Sequence, residues 1–158
     1  SAGGGLTLAT VHQLKNLGLP APGALFAGTP SVDLLQTGDT WITNEGVDNI
    51  LGTGSGLLMS ASRLYAAGED MTNPLISPLY GDFSDFPPTY LVSGTRDMLL
   101  SDTVRVHRKL REAGVIADLN VFEGLPHGAY AGVPGSREYN GAYSDLKDFL
   151  ATHLTVDP

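Results

Sequence analysis

The sequence contains no cysteine, which excludes disulfide bonds and thiolate metal sites. It also lacks an apolar run long enough to span a membrane. Only nine of the 158 residues are Lys or Arg, against 17 Asp or Glu, and the basic residues are scattered, so nucleic acid is not an expected partner. What is present is 42% hydrophobic residues, 20 Gly and 10 Pro, which indicates one globular domain with many tight turns. We expect a cytoplasmic protein without a membrane span.

Three short apolar segments predict buried strands, at residues 23–30, 89–94 and 117–124. Helical patterns separate them, at residues 2–17, 57–68 and 101–114, and a last amphipathic pattern covers residues 143–154. This alternation predicts an α/β fold with a mostly parallel sheet and flanking helices. Residues 31–56 form a long irregular stretch, and loops of that length tend to be functional or to cover something.

Three strands make a thin parallel sheet. The first strand would leave a long apolar edge open unless another strand paired with it. The sequence therefore resembles the second half of a larger α/β sheet, and we expect residues 1–158 to form the C-terminal portion of such a domain.

Helix ends and histidines give further expectations. The pattern places Ser101 as the N-cap of the helix over residues 101–114 and Asp102 in its first turn. His12, His107 and His153 fall within helical patterns, where we expect solvated or mixed faces and no chemistry. Among the His, Asp and Glu residues, no set has the sequence spacing of a metal site.

Three polar residues fall where a parallel sheet places its active groups, at the carboxyl ends of strands. Asp97 follows the second strand and His127 follows the third, while Ser1 opens a helix that an upstream strand could precede. The order Ser, Asp, His is the one that α/β-hydrolases use. Small residues after Ser1 suit a tight strand-to-helix turn, with Gly3 expected to be the one that packs closely and the Ala2 N–H placed to stabilise an oxyanion.

Four motifs carry a specific family resemblance along essentially the whole chain: SAGGGL, TPSVDLLQTGDTWITN, NPLISPLYGDFSDFPPTYLVSGTRDMLLSDT and FEGLPHG. The first resembles the second part of the G-D-S-A-G-G-x-L nucleophile elbow of the hormone-sensitive-lipase-like branch of the α/β-hydrolases. The others resemble the segment after the next strand, the approach to the acidic residue and the histidine loop of that branch.

This resemblance implies a catalytic triad of Ser1 as nucleophile, Asp97 as carboxylate and His127 as general base. It implies a serine carboxylesterase that hydrolyses short-to-medium acyl esters through an acyl-enzyme intermediate, with no cofactor. Asp102 competes with Asp97 for the role of the carboxylate. Asp97 is preferred because it comes first after the strand, whereas the helix dipole alone can account for Asp102.

The branch also has an upstream H-G-G-G loop, further strands and a helical cap, and none of these occurs in this sequence. The expected partners are therefore a small ester substrate and the N-terminal portion of the same protein, with a homodimer left open. A non-catalytic, receptor-like binding protein of the same fold is the main alternative, although such members replace the histidine that is present here as His127. An N-terminal nucleophile hydrolase is a third reading, but those proteins have stacked antiparallel sheets.

Overall fold

A computed structural model describes residues 1–154, except for the side chains of residues 54 and 55. Three parallel strands form one sheet in the order β1-β2-β3, with β1 at Leu25–Gly28, β2 at Thr89–Gly94 and β3 at Ala117–Phe122. The helices are α1 (Ala2–Asn16), α2 (Thr40–Thr43), α3 (Met59–Ala66), α4 (Leu100–Glu112) and α5 (Arg137–His153). Short turns of π-helix and 3₁₀-helix lie at Gly54–Leu58, Pro78–Tyr80 and Ala129–Ala131. The predicted α/β architecture is confirmed.

Every residue of β2 is buried, whereas β1 is partly buried and β3 is partly exposed. On one face, Ala27 and Leu91 pack with α1 and α4 in a single apolar cluster. On the other face, Tyr90 and Val92 pack against Phe149 of α5. Burial on both faces explains why the central strand β2 has a nearly continuous apolar sequence, whereas the partly exposed β3 alternates polar and apolar residues.

The β1 edge of the sheet has no further strand beside it in the part of the chain that the structure describes, and neither has the β3 edge. Within residues 1–154, β1 pairs with β2 alone. The amino group of Ser1 donates to the carbonyl oxygen of Gly28 at 2.6 Å, at the carboxyl end of this edge. The remaining outward backbone groups of β1 lie along a sheet edge, which is a template for pairing with a further strand.

The close approach at the start of α1 involves different glycines from the one the sequence predicts. No other described atom lies within 4 Å of an ideal Cβ at Gly3, so the packing role expected of this residue is not seen among residues 1–154. A Cβ at Gly4 would lie 2.9 Å from the Cα of Pro30, and one at Gly5 would overlap the carbonyl oxygen of Ser31. The small residues therefore let α1 pack against the backbone that leaves β1.

The prediction that Ser101 is the N-cap of α4 is wrong. The helix begins at Leu100, and Ser101 is its second residue. The Ser101 hydroxyl instead accepts a hydrogen bond from the backbone N–H of Thr40 at 3.0 Å, while the Thr40 hydroxyl accepts from the Ser101 N–H at 2.8 Å. The two residues thus cap α2 and α4 reciprocally across the fold, which sequence spacing along one helix cannot reveal.

The expectation of a solvated or mixed face for His12 is also wrong. Its side chain is buried between Phe83 and Phe86, and its Nε2 lies 3.1 Å from the carbonyl oxygen of Pro78. Burial lowers the pKa of His12. This histidine therefore packs in an aromatic part of the core. Among the described helices, none is both long enough and apolar enough to cross a membrane.

Candidate active site

Asp97 and His127 form a buried pair at the carboxyl ends of β2 and β3. His127 Nδ1 lies 3.0 Å from Asp97 Oδ1, and the two residues are 8% and 0% exposed. A tight turn places Asp97, because its N–H donates to the carbonyl oxygen of Gly94 and its Oδ1 accepts from the N–H of Leu99 at 2.8 Å. The structure therefore brings together two of the three residues of the predicted triad.

The histidine loop is held against the aspartate loop by backbone contacts. The N–H of Arg96 donates to the carbonyl oxygen of Leu125, and the N–H of Gly124 donates to the Thr95 hydroxyl at 2.8 Å. Gly124 and Gly128, on either side of His127, have φ of +74° and +66°, a region that glycine adopts without steric cost. These turns direct the imidazole inward, towards Asp97.

Two hydroxyl groups complete the surroundings of the Asp97 carboxylate. The hydroxyl of Thr29 donates to Oδ2, and the hydroxyl of Ser93 donates to the same oxygen at 2.9 Å. Burial raises the pKa of Asp97, but the hydrogen bond and charge of His127, together with the bonds from Thr29 and the Leu99 N–H, outweigh it and hold the pKa below its usual value. The carboxylate is therefore ionised at neutral pH and able to stabilise a positive charge on His127.

Ser1 lies at the N-terminus of α1, at the carboxyl ends of the strands, as the Asp97–His127 pair does. Its carbonyl oxygen accepts hydrogen bonds from the N–H groups of Gly5 and Ser31, both at 3.1 Å, which fixes the turn into the helix. Among the hydrogen bonds of residues 1–154, none joins the Ser1 hydroxyl to His127; such catalytic contacts are often long in the absence of substrate. The Ala2 N–H is one of the first N–H groups of α1, which have no acceptor within the helix.

An apolar cavity of about 360 Å³ opens beside Ser1. Its lining combines the start of α1 with side chains from the irregular stretch and α3, including Leu6, Trp41, Leu51, Leu58 and Tyr65. Ser1 and Ala2 are in the lining, whereas Asp97 and His127 are not among the lining residues. A molecule in this cavity would therefore meet the serine and the helix N-terminus before it met the imidazole.

Comparison with known proteins identifies the family. Residues 1–131 match the family described as the alpha/beta hydrolase fold. The chain belongs to the alpha/beta hydrolases. It is similar in structure to an esterase from the bacterial hormone-sensitive lipase family, with 33% identity and a TM-score of 0.91 over 98% of this chain and 52% of that one. The predicted resemblance to the hormone-sensitive-lipase-like branch is thereby confirmed.

Two further similar proteins are also named as hydrolases of esters or acetyl groups. The esterase E25 is 50% identical, with a TM-score of 0.93 over 96% of this chain and 46% of that chain. An acetyl-hydrolase of Streptomyces hygroscopicus is 32% identical over 114 residues, which are 72% of this chain and 38% of the relative. The chain thus spans about half the length, or less, of the hydrolases to which it is similar.

The irregular stretch supplies two positioning side chains to this hydrolase site that the sequence did not indicate. Asn44 donates from Nδ2 to the carbonyl oxygens of Asp97 and Thr95, at 2.9 and 3.2 Å. The buried Asp48 accepts from the N–H of Met98 at 3.0 Å and more weakly from that of His127 at 3.4 Å. A sequence pattern could have flagged the length of the stretch, but not which of its polar residues turn inward.

Asp48, Asp97 and His127 also form a group whose potential metal-binding atoms lie within 4.8 Å of one another. The three residues come from three separate loops, so their sequence spacing does not resemble a metal motif. However, the Asp48 carboxylate already accepts backbone N–H groups, among them those of Ile50 and Leu51, and Asp97 accepts from His127 and two hydroxyls. The donors are thus used in hydrogen bonds that fix the loops, and this arrangement gives no support to a metal role.

Asp102, the competing carboxylate, faces a different part of the hydrolase. It is fully buried and accepts from the N–H groups of Val32 and Asp33 and from the indole N–H of Trp41. Burial, with the nearby charge of Asp33, raises the pKa of Asp102 to about 7 despite these bonds. Asp102 therefore joins the segment after β1 and the cavity wall to α4. The helix dipole alone does not account for this role.

Proposed function

We propose that the chain carries the catalytic centre of a serine carboxylesterase that hydrolyses short-to-medium acyl esters. In this proposal Ser1 is the nucleophile, His127 the general base and Asp97 the carboxylate that orients the base. The observation that carries it is the buried Asp97–His127 pair. This pair lies at the carboxyl ends of the strands, where Ser1 and its apolar cavity also lie. The names of the similar proteins, esterase and acetyl-hydrolase, support the reaction class.

The proposed reaction has two halves. In the first, Ser1 Oγ attacks the ester carbonyl carbon while its proton passes to Nε2 of His127, and the imidazolium then gives that proton to the departing alcohol. In the second, His127 takes a proton from a water molecule that attacks the acyl carbon, and the imidazolium gives that proton to Ser1 Oγ as its bond to the acyl carbon breaks and the carboxylic acid leaves. The carboxylate of Asp97 stabilises the transient imidazolium, and the Ala2 N–H at the start of α1 stabilises the developing oxyanion.

The dimensions and chemistry of the cavity support small apolar acyl groups. Its volume of about 360 Å³ is near the lower end of the range for small-molecule sites, about 300–1,000 Å³. Apolar side chains such as Leu6, Leu51 and Leu58 surround it. An acetyl or butyryl group would fit this space beside Ser1.

The receptor-like alternative has less support. A binding protein would have no need of an ionised carboxylate held against an imidazole by Thr29, Ser93 and the Leu99 N–H, yet that network is complete here. The N-terminal nucleophile alternative does not fit the fold, because the sheet is parallel.

The active form in our proposal includes a further polypeptide portion along β1. Within residues 1–154 that strand pairs on one side only, and the similar hydrolases are about twice as long as this chain. A strand added at this edge would satisfy the outward backbone groups of β1, and the same portion could supply more oxyanion donors. Activity should therefore be measured in the natural polypeptide that carries these residues.

A serine-directed phosphonate tests the nucleophile. We expect one covalent label, located on Ser1 by mass spectrometry, and complete loss of labelling and ester hydrolysis in Ser1→Ala. Rates with p-nitrophenyl acetate and butyrate should exceed those with long-chain esters. A label on another residue would rule out Ser1 as nucleophile, and rates that increase with acyl chain length would contradict the proposed substrate class.

A further inference from the structure

Thr29 is the one described side chain outside the proposed triad that hydrogen-bonds to both the Asp97 carboxylate and the His127 imidazole. It follows Gly28, the last residue of β1, and is 2% exposed. Its hydroxyl donates to Asp97 Oδ2 and lies 3.0 Å from His127 Nδ1. The carboxyl end of each of the three strands thus leads to one member of a hydrogen-bonded cluster.

We propose that Thr29 is a positioning residue that keeps His127 in the tautomer with its proton on Nδ1. This inference rests on the proposed function, because it concerns the same base, but it makes a claim that can be measured without turnover. No other role in the mechanism is assigned to Thr29.

A hydroxyl group has one hydrogen and two acceptor lone pairs, and an ionised carboxylate can only accept. The Thr29 hydrogen must therefore point to Asp97 Oδ2, which leaves a lone pair of its oxygen towards His127 Nδ1. A proton on Nδ1 then has two acceptors, Asp97 Oδ1 and Thr29 Oγ1, both at 3.0 Å.

The other tautomer would meet repulsion at Asp97 and would cost a hydrogen bond at Thr29. With its proton on Nε2, the imidazole would present the Nδ1 lone pair to the lone pairs of Asp97 Oδ1. The Thr29 hydroxyl could then donate to Nδ1 only by giving up its hydrogen bond to the Asp97 carboxylate. The imidazole would also have no free lone pair on Nε2 with which to take the proton of Ser1. Asp97 and Thr29 therefore favour the same tautomer, the one that leaves Nε2 able to act as a base.

The backbone at this position supports a functional reason for threonine. Thr29 has φ of +38°, which is unusual for a β-branched residue and costs on the order of 1–3 kcal/mol where it occurs. Its N–H donates to the carbonyl oxygen of Val92 at 2.7 Å, and Pro30 follows, so the conformation is held from both sides. Glycine or asparagine would adopt this backbone more readily, but neither has a hydroxyl group.

Three substitutions separate the hydroxyl from the shape of the side chain. Thr29→Val keeps the volume and β-branching but removes the hydroxyl, Thr29→Ser keeps the hydroxyl, and Thr29→Gly removes it while relieving the backbone. We expect kcat to fall about 10- to 100-fold in Thr29→Val and Thr29→Gly, with KM unchanged, because a hydrogen bond to a charged group is lost. Thr29→Ser should stay within about threefold of the wild type.

Nitrogen NMR of the His127 ring measures the tautomer directly in the natural polypeptide. We expect the Nε2–H form to gain population in Thr29→Val and Thr29→Gly and not in Thr29→Ser. Ser93→Ala is the matched control, because Ser93 donates to the same oxygen of Asp97 but makes no described contact with His127. It should leave the tautomer unchanged.

The outcomes separate the two proposals. Wild-type-like kcat and tautomer in Thr29→Val would overturn the role of Thr29, as would a loss in Thr29→Ser as large as that in Thr29→Val. If the protein hydrolyses no ester at all, the proposed function fails, and the NMR comparison still decides the role of Thr29. Should Thr29→Val not fold, Thr29→Gly supplies the same comparison without the backbone strain.

Discussion

Replacement of Asp97 by asparagine removes one charge from the candidate site while leaving almost the same shape. The carbonyl oxygen of the new amide should occupy the Oδ1 position, because the backbone N–H of Leu99 is a fixed donor to that atom. The amide nitrogen would then face the hydroxyls of Thr29 and Ser93, which can rotate to accept from it. The oxygen that faces His127 thus stays an acceptor, and the main change is the loss of the negative charge.

The size of the effect follows from the 3.0 Å contact between His127 Nδ1 and Asp97 Oδ1. Unit charges roughly 4 Å apart attract by about 4 kcal/mol at an effective dielectric constant of about 20. Because about 1.4 kcal/mol corresponds to a tenfold change in rate, kcat should fall by about 10³. If the amide instead turned its nitrogen towards His127 and imposed the wrong tautomer, the loss would be nearer 10⁴.

The assay is hydrolysis of p-nitrophenyl butyrate by the natural polypeptide, with His127 nitrogen NMR to identify the tautomer. Asp102→Asn is the matched control, because Asp102 is buried beside the same helix but contacts Val32, Asp33 and Trp41 rather than His127. It should lower kcat less than about tenfold. A folded Asp97→Asn variant with more than about a tenth of the wild-type kcat, or a larger loss in Asp102→Asn, would refute the assignment of Asp97.

Three further changes test the framework of the site. Because the pKa of Asp102 is raised to about 7 in the folded protein, its contribution to stability is present below its unfolded pKa of 3.8 and is lost as the pH rises through 7. In urea unfolding, the free energy of unfolding of the wild type should therefore fall relative to that of Asp102→Asn between pH 4 and pH 8, by up to roughly 4 kcal/mol. A difference that does not change with pH would contradict the raised pKa. Gly5→Ala should lower the melting temperature and the activity, because the new Cβ would overlap the carbonyl oxygen of Ser31. Gly141→Ala in α5 is the control. Its Cβ would make only ordinary contacts, so it should be neutral or stabilising in thermal unfolding. Asp48→Ala should reduce the free energy of unfolding by about 1–3 kcal/mol or more in denaturant titrations, because backbone N–H groups lose their buried acceptor. An unchanged free energy of unfolding would show that water replaces the carboxylate as acceptor.

Much of the fold could be predicted because its signals are local. The second strand was predicted with the observed limits, Thr89–Gly94, since an apolar run bounded by Pro and Gly marks a buried strand. Asp97 and His127 were found by their positions after strands, and the structure places them in contact. The rule that active groups follow parallel strands needs only the order of elements along the chain.

The failures concern contacts between residues distant in sequence. Thr29 follows β1 in the structure, but the predicted strand over residues 23–30 includes it, so only the fold shows that its hydroxyl lies against Asp97. Ser101 has the composition of an N-cap but bonds with Thr40, 61 residues away. His12 lies in a helical pattern, and its burial depends on Phe83 and Phe86 from a later segment.

The contacts that surround His127 have a consequence for how the protein is made. Thr29, Asp48 and Asp97 all precede the histidine in the chain, so a ribosome releases them first. The cradle for the imidazole can be assembled before the imidazole itself has emerged, and Ser1 has no base until synthesis has passed residue 127. Under the proposed function, the order of translation delays ester hydrolysis in the nascent polypeptide until all three described strands have been synthesised.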